Sequence, residues 1–273
     1  MTDAIWKCTS AEYHADRLHV SNSALSVFRQ SRPLYAARYV HGTLPFPEPT
    51  PAMALGSAFH ACILEPETFE KLYAIAPDLD RRTKAGKEEW AAFTELSQNR
   101  TVLTVEQFTL VKRIEAGIRE NGFARDLIDA PGRSELAVRW THDGLALKAR
   151  FDRLLDARII IDLKTASDPS PEVFARSASQ HGYHRQAWLY QLAAMEALGL
   201  ERPTFFHIAC GTVEPFECHV YELDADALRL GEVQVTLDLA RLRDCRTSGN
   251  WSSPLNGQAN TLSLPKWAFT EPA

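Results

Sequence analysis

Three stretches between residues 134 and 165 alternate apolar and polar side chains with a period of two, and little short of a β-sheet can satisfy them. "SELAVRWT" leads through "HDG", a tight-turn signal, into "LALKARFDRLLD", and past Asp156 and Ala157 into "RIIIDLKT". These read as three antiparallel strands in succession. "HGYHRQAWLYQLAAMEALGL" then fits an amphipathic helix ended near Gly199, "PTFFHIACG" and "FECHVYEL" fit a further hairpin, and "DADALRLGEVQVTLDLARLRDCR" fits a last long helix. The order predicts an α+β core: a mixed sheet that starts with three antiparallel strands and is flanked by helices.

Ahead of the sheet the period is helical. Ser21 or Ser23 can cap "ALSVFRQS", and a second helix begins near "PLYAARYV". The Pro-rich "LPFPEPTPAMA" at 44–54 is the strongest interruption, after which "AMALGSAFHACILEP" reads as a short buried helix stopped by Pro66. Polar helices follow around 84–97 and 104–121. With no repeat and no convincing linker, the 273 residues read as one domain. Its parts are an N-terminal helical segment (1–50), a second helical segment (51–130), the sheet core (131–223), and a C-terminal helix and tail (224–273).

No apolar run approaches the roughly 20 residues of a membrane span, and the N-terminus lacks the basic start and apolar core of a secretory signal, so a cytoplasmic location is expected. Five scattered cysteines without a CxxC pair suggest reduced thiols rather than disulfides or a zinc site. The net charge of -5 counts against a polyanionic partner held by the molecule as a whole. Two local basic clusters remain: "RRTKAGK" at 81–87, and the set Arg139, Lys148, Arg150 and Arg153. Each is either a solvated face or a local patch for nucleic acid.

Pleat geometry places charges on shared faces. Ile160, Asp162 and Lys164 point one way, with Ile159, Ile161 and Leu163 opposite; Lys148, Arg150 and Asp152 share a face of the preceding strand, as do Glu135, Ala137 and Arg139 of the first. Three neighbouring strands thus each offer an acid. Carboxylates gathered in a buried place raise one another's pKa, a cost that a divalent cation removes. Mg2+ takes hard oxygen ligands, which Asp152, Asp162 and the Leu163 carbonyl could supply, with Lys164 placed to orient an attacking water or to neutralise charge on a phosphate. The competing reading is a set of surface salt bridges on an exposed sheet face.

Asp152 followed by "DLK" at 162–164 resembles the PD-(D/E)XK nuclease superfamily, whose core is α-βββ-α-β with an aspartate on the second strand and (D/E)-x-K on the third. "GSAFH" at 56–60 resembles the histidine helix of its RecB-type branch, and "QAWLY" at 186–190 that branch's Q-x-x-x-Y helix. "YHADRLHVSNSALSVFRQSRPLYAARY", "ALGSAFHACILEPETFE" and "LSLPKWA" near the C-terminus are similar to elements of the RecE-like, exonuclease VIII group of phage and prophage recombination exonucleases. "SRP" stands where that group usually has "SP", and the large N-terminal region of some RecE proteins has no counterpart here.

The resemblance implies a Mg2+-dependent exonuclease, with Mn2+ able to substitute, digesting double-stranded DNA ends 5′ to 3′. It also implies a RecT-like annealing partner for the resulting 3′ strand, and a homo-oligomeric ring. His60, Asp152, Asp162 and the Leu163 carbonyl would hold metal, Glu135 would assist, Lys164 would position water, and Gln186 and Tyr190 would support the lysine or meet the scissile strand. Arg81, Arg82, Lys84, Lys87 and Arg150 are the candidate DNA contacts. Some RecB-type relatives bind an iron–sulfur cluster through four clustered cysteines; only Cys245 lies near the C-terminus, so none is expected. His142, His181 and His184 read as surface residues. Two rivals stay open: an endonuclease or single-strand-processing enzyme on the same core, and a non-catalytic DNA-binding module.

Overall fold

Hydroxyl caps followed by apolar residues at helical spacing make the N-terminal half helical in the computed structural model, which describes residues 4–48, 50–264 and 269. Thr9 caps α1 (Ser10–Ala15), Ser21 caps α2 (Asn22–Gln30), and Ser31 caps α3 (Arg32–Tyr35), which runs on into a π turn at Ala36–Val40. Thr50 caps α4 (Pro51–Leu64). Pro66 follows the end of α4 and is itself the first residue of α5 (Pro66–Leu72), where a missing N–H costs nothing. Then come β1 (Tyr73–Ile75), α6 (Lys84–Leu96), β2 (Thr101–Leu103), α7 (Val105–Glu120) and α8 (Gly122–Asp129), with β1 and β2 paired in parallel.

The alternating region forms β3 (Gly132–His142), β4 (Leu145–Leu155) and β5 (Ile159–Ala166), antiparallel in that order. Asp143 and Gly144 both take positive φ, +47° and +77°, as the tight turn between β3 and β4 requires. The chain then crosses through α9 (Pro171–His181) and α10 (Tyr183–Leu198) and returns as β6 (Thr204–Gly211) parallel to β5, with β7 (Cys218–Glu222) antiparallel at the edge. The result is one mixed five-stranded sheet in sequential order, closed by α11 (Ala225–Ser248).

Each face of the sheet carries a core. α2, α10 and α11 pack on one, around Phe28, Phe151, Ile160, Leu189 and Leu242; α4, α7 and α8 pack on the other, around Phe59, Ile114, Ile161 and Leu163. Because β5 is covered on both sides, its residues before Asp162 are apolar at every position. Helices α1, α5, α8 and α9 and the short β1–β2 pair are additions to the sequence reading. The "LSLPKWA" resemblance falls largely on 265–268, which lie outside the described residues. Among those described, no helix is long and apolar enough to cross a membrane.

Two sequence readings need correction. His184 is not a surface residue: it is buried between α10 and α11, Nε2 3.1 Å from Gln234 Oε1, because Gly231 lets the two helices approach closely. The basic set on β3 and β4 is neither a solvated face nor a free patch. Lys148, 3% exposed, donates to the carbonyls of Tyr13 and Asp16, Arg139 lies over Trp6, and Arg153 donates to Ser134 and to the Ala130 carbonyl, so these side chains pin the N-terminal segment and strand ends.

Candidate active site

The register brings the acids to one rung of the sheet. Ser134 pairs with Arg153 and Leu136 with Phe151, so Glu135 faces Asp152; Arg153 pairs with Ile161, so Asp152 faces Asp162; and Asp162 pairs directly with His207 on β6. Pairing of β4 with β5 ends at Arg153 and Ile161, one residue short of the two aspartates. There the strands part, and the Leu163 N–H donates to the Asp152 side chain at 2.8 Å. The strict alternation expected along β4 also slips at this point, since Phe151 and Leu154 both reach the same core. Across from the slip, Glu135 takes φ +50°, a left-handed conformation that costs a non-glycine residue of order 1 kcal/mol and is concentrated at functional sites.

His60 comes to this rung from α4. Its Nδ1 lies 3.5 Å from Asp152 Oδ2 and its Nε2 3.1 Å from the Leu163 carbonyl oxygen. Ligand atoms of His60, Glu135 and Asp152 all lie within 4.8 Å of one another. Arg150 holds Glu135 through Nε at 2.9 Å, which places it beside the acids of the rung. Asp162 is 1% exposed and turned toward the other side: Gln186 of α10 donates to its Oδ1 at 2.6 Å, and Lys164 makes an ion pair with Oδ2. Tyr190, one turn beyond Gln186, packs edge-to-face on Phe151. The sequence-derived residues therefore converge in two adjoining groups, His60–Glu135–Asp152–Leu163 and Asp162–Lys164–Gln186.

Burial dominates the electrostatics. It pushes Glu135 up to about 7, against the pull of Arg150 and with a further push from Asp152. Asp152 is raised by burial as well, with His60 opposing. Burial works against the Lys164 charge, but Asp162 and Asp152 outweigh it and hold the ammonium protonated. Buried carboxylates that resist ionisation (Glu135 and Asp152), a histidine and a backbone carbonyl make a donor set that fits a hard divalent cation, and the neighbouring Asp162 Oδ2 is buried without an aligned hydrogen bond.

Arg81 and Arg82 lie in the turn before α6 and Lys84 and Lys87 in its first turn, all exposed. Arg81 lies 4.0 Å over Trp90, Arg82 pairs with Asp80, and Lys84 faces Glu88 at 3.9 Å. Two residues absent from the sequence reading also face the site. Tyr183 supports Lys164, whose Nζ lies 5.0 Å from its ring, and His207 occupies the rung beside Asp162. A parallel pairing of "TFFHIA" with "IIIDLK" would have revealed the histidine.

This fold and rung define a PD-(D/E)XK architecture. The chain belongs to the family described as a PDDEXK-like domain of unknown function (DUF3799), whose family model matches residues 21–264. Among solved structures it is similar to a protein of Eubacterium rectale described as a "Putative exonuclease", at TM-score 0.64 and 13% identity, covering 97% of this chain and 98% of that one. That likeness is one of fold. A second structure, SSO0001, shares 16% identity over 67% of this chain and 85% of its own, but at TM-score 0.26 it carries no argument. No curated protein matches the chain.

Proposed function

We propose that the protein is a divalent-metal-dependent nuclease that shortens double-stranded DNA from its ends. The convergence of Glu135, Asp152 and Asp162 on one rung, with His60 above and Lys164 beside it, carries this reading. His60, Glu135, Asp152 and the Leu163 carbonyl would hold the cation, with Asp162 adjoining them. When bound, Mg2+, or Mn2+ in its place, would neutralise charge on the scissile phosphate and polarise it toward attack by water. Lys164, protonated and buried, donates a hydrogen bond to the phosphate or to the attacking water in line with the leaving oxygen. Gln186 keeps Asp162 from rotating and Arg150 keeps Glu135 in place.

Digestion 5′ to 3′, a 3′ single strand passed to an annealing protein and a ring of subunits are what the RecE-like resemblance implies, and a cytoplasmic location is the expectation from a sequence with no span-length apolar run. The exposed cations at the start of α6 offer an approach for DNA that the net charge of -5 does not. Linear and covalently closed duplexes of one sequence, labelled at 5′ or 3′ ends and incubated with Mg2+ or EDTA, test the reading. Mg2+-dependent loss of the linear form alone, 5′ label first, is expected. Cutting of the closed circle would make the protein an endonuclease, and no cleavage with Mg2+ or Mn2+ would end the nuclease reading.

A further inference from the structure

His207 stands in the middle of β6, 0% exposed, and neither of its ring nitrogens has a hydrogen-bond partner. A buried polar group without a partner costs free energy, so an apolar residue would serve the core better unless the imidazole has a task. Its Nε2 lies 3.9 Å from Asp162 Oδ2. That oxygen is the one that Lys164 touches, and it has no aligned hydrogen bond of its own. The ring is not free to turn elsewhere: Tyr183 stacks on it at 5.4 Å and Phe205 lies against it at 4.9 Å. The opposite oxygen, Oδ1, is fixed by Gln186.

The Lys164 ammonium has three N–H donors, but moving it onto a DNA phosphate draws it away from Asp162 Oδ2. Once its ammonium turns to the phosphate, as the proposed function requires, Asp162 Oδ2 would be left as a buried anion without a donor. The nearest polar atom with nothing else to bond is His207 Nε2, about 1 Å beyond hydrogen-bond length. We propose that His207 is a positioning residue: the neutral imidazole, with its proton on Nε2, donates to Asp162 Oδ2 when Lys164 leaves it, and so holds the aspartate in place through turnover. Asp162 is then clamped between Gln186 and His207, and Lys164 is released without stranding a charge. This inference rests on the role given to Lys164 above.

The substitution His207→Phe keeps a ring in the aromatic nest and removes the donor; His207→Gln places an amide N–H near the position of Nε2. Expected for H207F are an unchanged or higher melting temperature, an unchanged KM for linear duplex, a 10- to 100-fold loss of single-turnover cleavage rate in Mg2+, and weaker Mn2+ binding by calorimetry. H207Q should recover at least half of that loss on a logarithmic scale. Independently of cleavage, 15N NMR of the histidines in the Lys164→Met variant should show His207 as the Nε2–H tautomer, its proton protected from exchange. Wild-type cleavage rates in H207F, equal impairment of folded H207F and H207Q, or an Nδ1–H tautomer in K164M would each overturn the proposal. Should the wild-type protein cut no DNA, the nuclease reading fails, and the NMR experiment still decides whether His207 bonds Asp162.

Discussion

Glu135 and His207 occupy the same rung and answer acid in opposite directions. Burial raises Glu135 from 4.5 to about 7, so over that window the folded protein binds the proton more readily than the unfolded chain, and stability falls as pH rises toward 7. Burial lowers His207 from 6.5 to about 4, so the unfolded chain takes the proton first, and stability falls as pH drops below 6.5. Between pH 4.5 and 6.5 the two slopes oppose each other. At about 1.4 kcal/mol per unit, the substitution Glu135→Gln should make the metal-free protein lose about 2 kcal/mol more than wild type on acidification from pH 6.5 to 4.5. Urea unfolding in EDTA at the two pH values measures this; parallel losses would place Glu135 in a water-like environment. Asp152, Asp162 and Lys164 were legible in the sequence because alternation and D-x-K spacing are local signals. The reversal at Glu135 and the approach of His207 were not, since both depend on how strands from distant parts of the chain meet.

Among the helices, α10 matters most because it brings Gln186 and Tyr190 to the site, and its position is set by α11. A Cβ on Gly231 would lie 2.2 Å from the His184 carbonyl oxygen, backbone against backbone, with no flexible side chain to yield. Gly231→Ala should therefore destabilise the protein by roughly 1–3 kcal/mol despite the better helix propensity of alanine, and should slow cleavage by shifting Gln186 from Asp162. Gly56 in α4 is the counterpart, with nothing within 4 Å of the added methyl, and Gly56→Ala should stabilise by about 1 kcal/mol. Thermal melts of the two variants check both signs; a stable G231A protein would mean that α10 and α11 can part freely. The sequence announced α10 and α11 through strong periodicity. It did not announce α9, whose "PEVFARSASQH" is rich in small and polar residues, nor the burial of His184, which depends on a glycine 47 positions later.

At the scale of the whole molecule, the sheet separates two cores and parts its central strands between them, where β4 and β5 stop pairing. The opening places acids at the end of a rigid scaffold, the arrangement that metal-assisted phosphodiester hydrolysis needs. The fold class and strand order followed from the alternating pattern and its turns. That His60 joins Asp152, while Asp162 faces Lys164 and Gln186, emerges only when α4 and α10 are docked on opposite faces. The central claim is that DNA is cut at this rung. Single-turnover cleavage of an end-labelled linear duplex in Mg2+ should be compared for the wild type and the Asp162→Asn variant, which preserves shape and the Gln186 hydrogen bond but removes the charge. A loss of at least about 1,000-fold in rate, with the melting temperature retained, is expected. Cleavage by Asp162→Asn at the wild-type rate would contradict it.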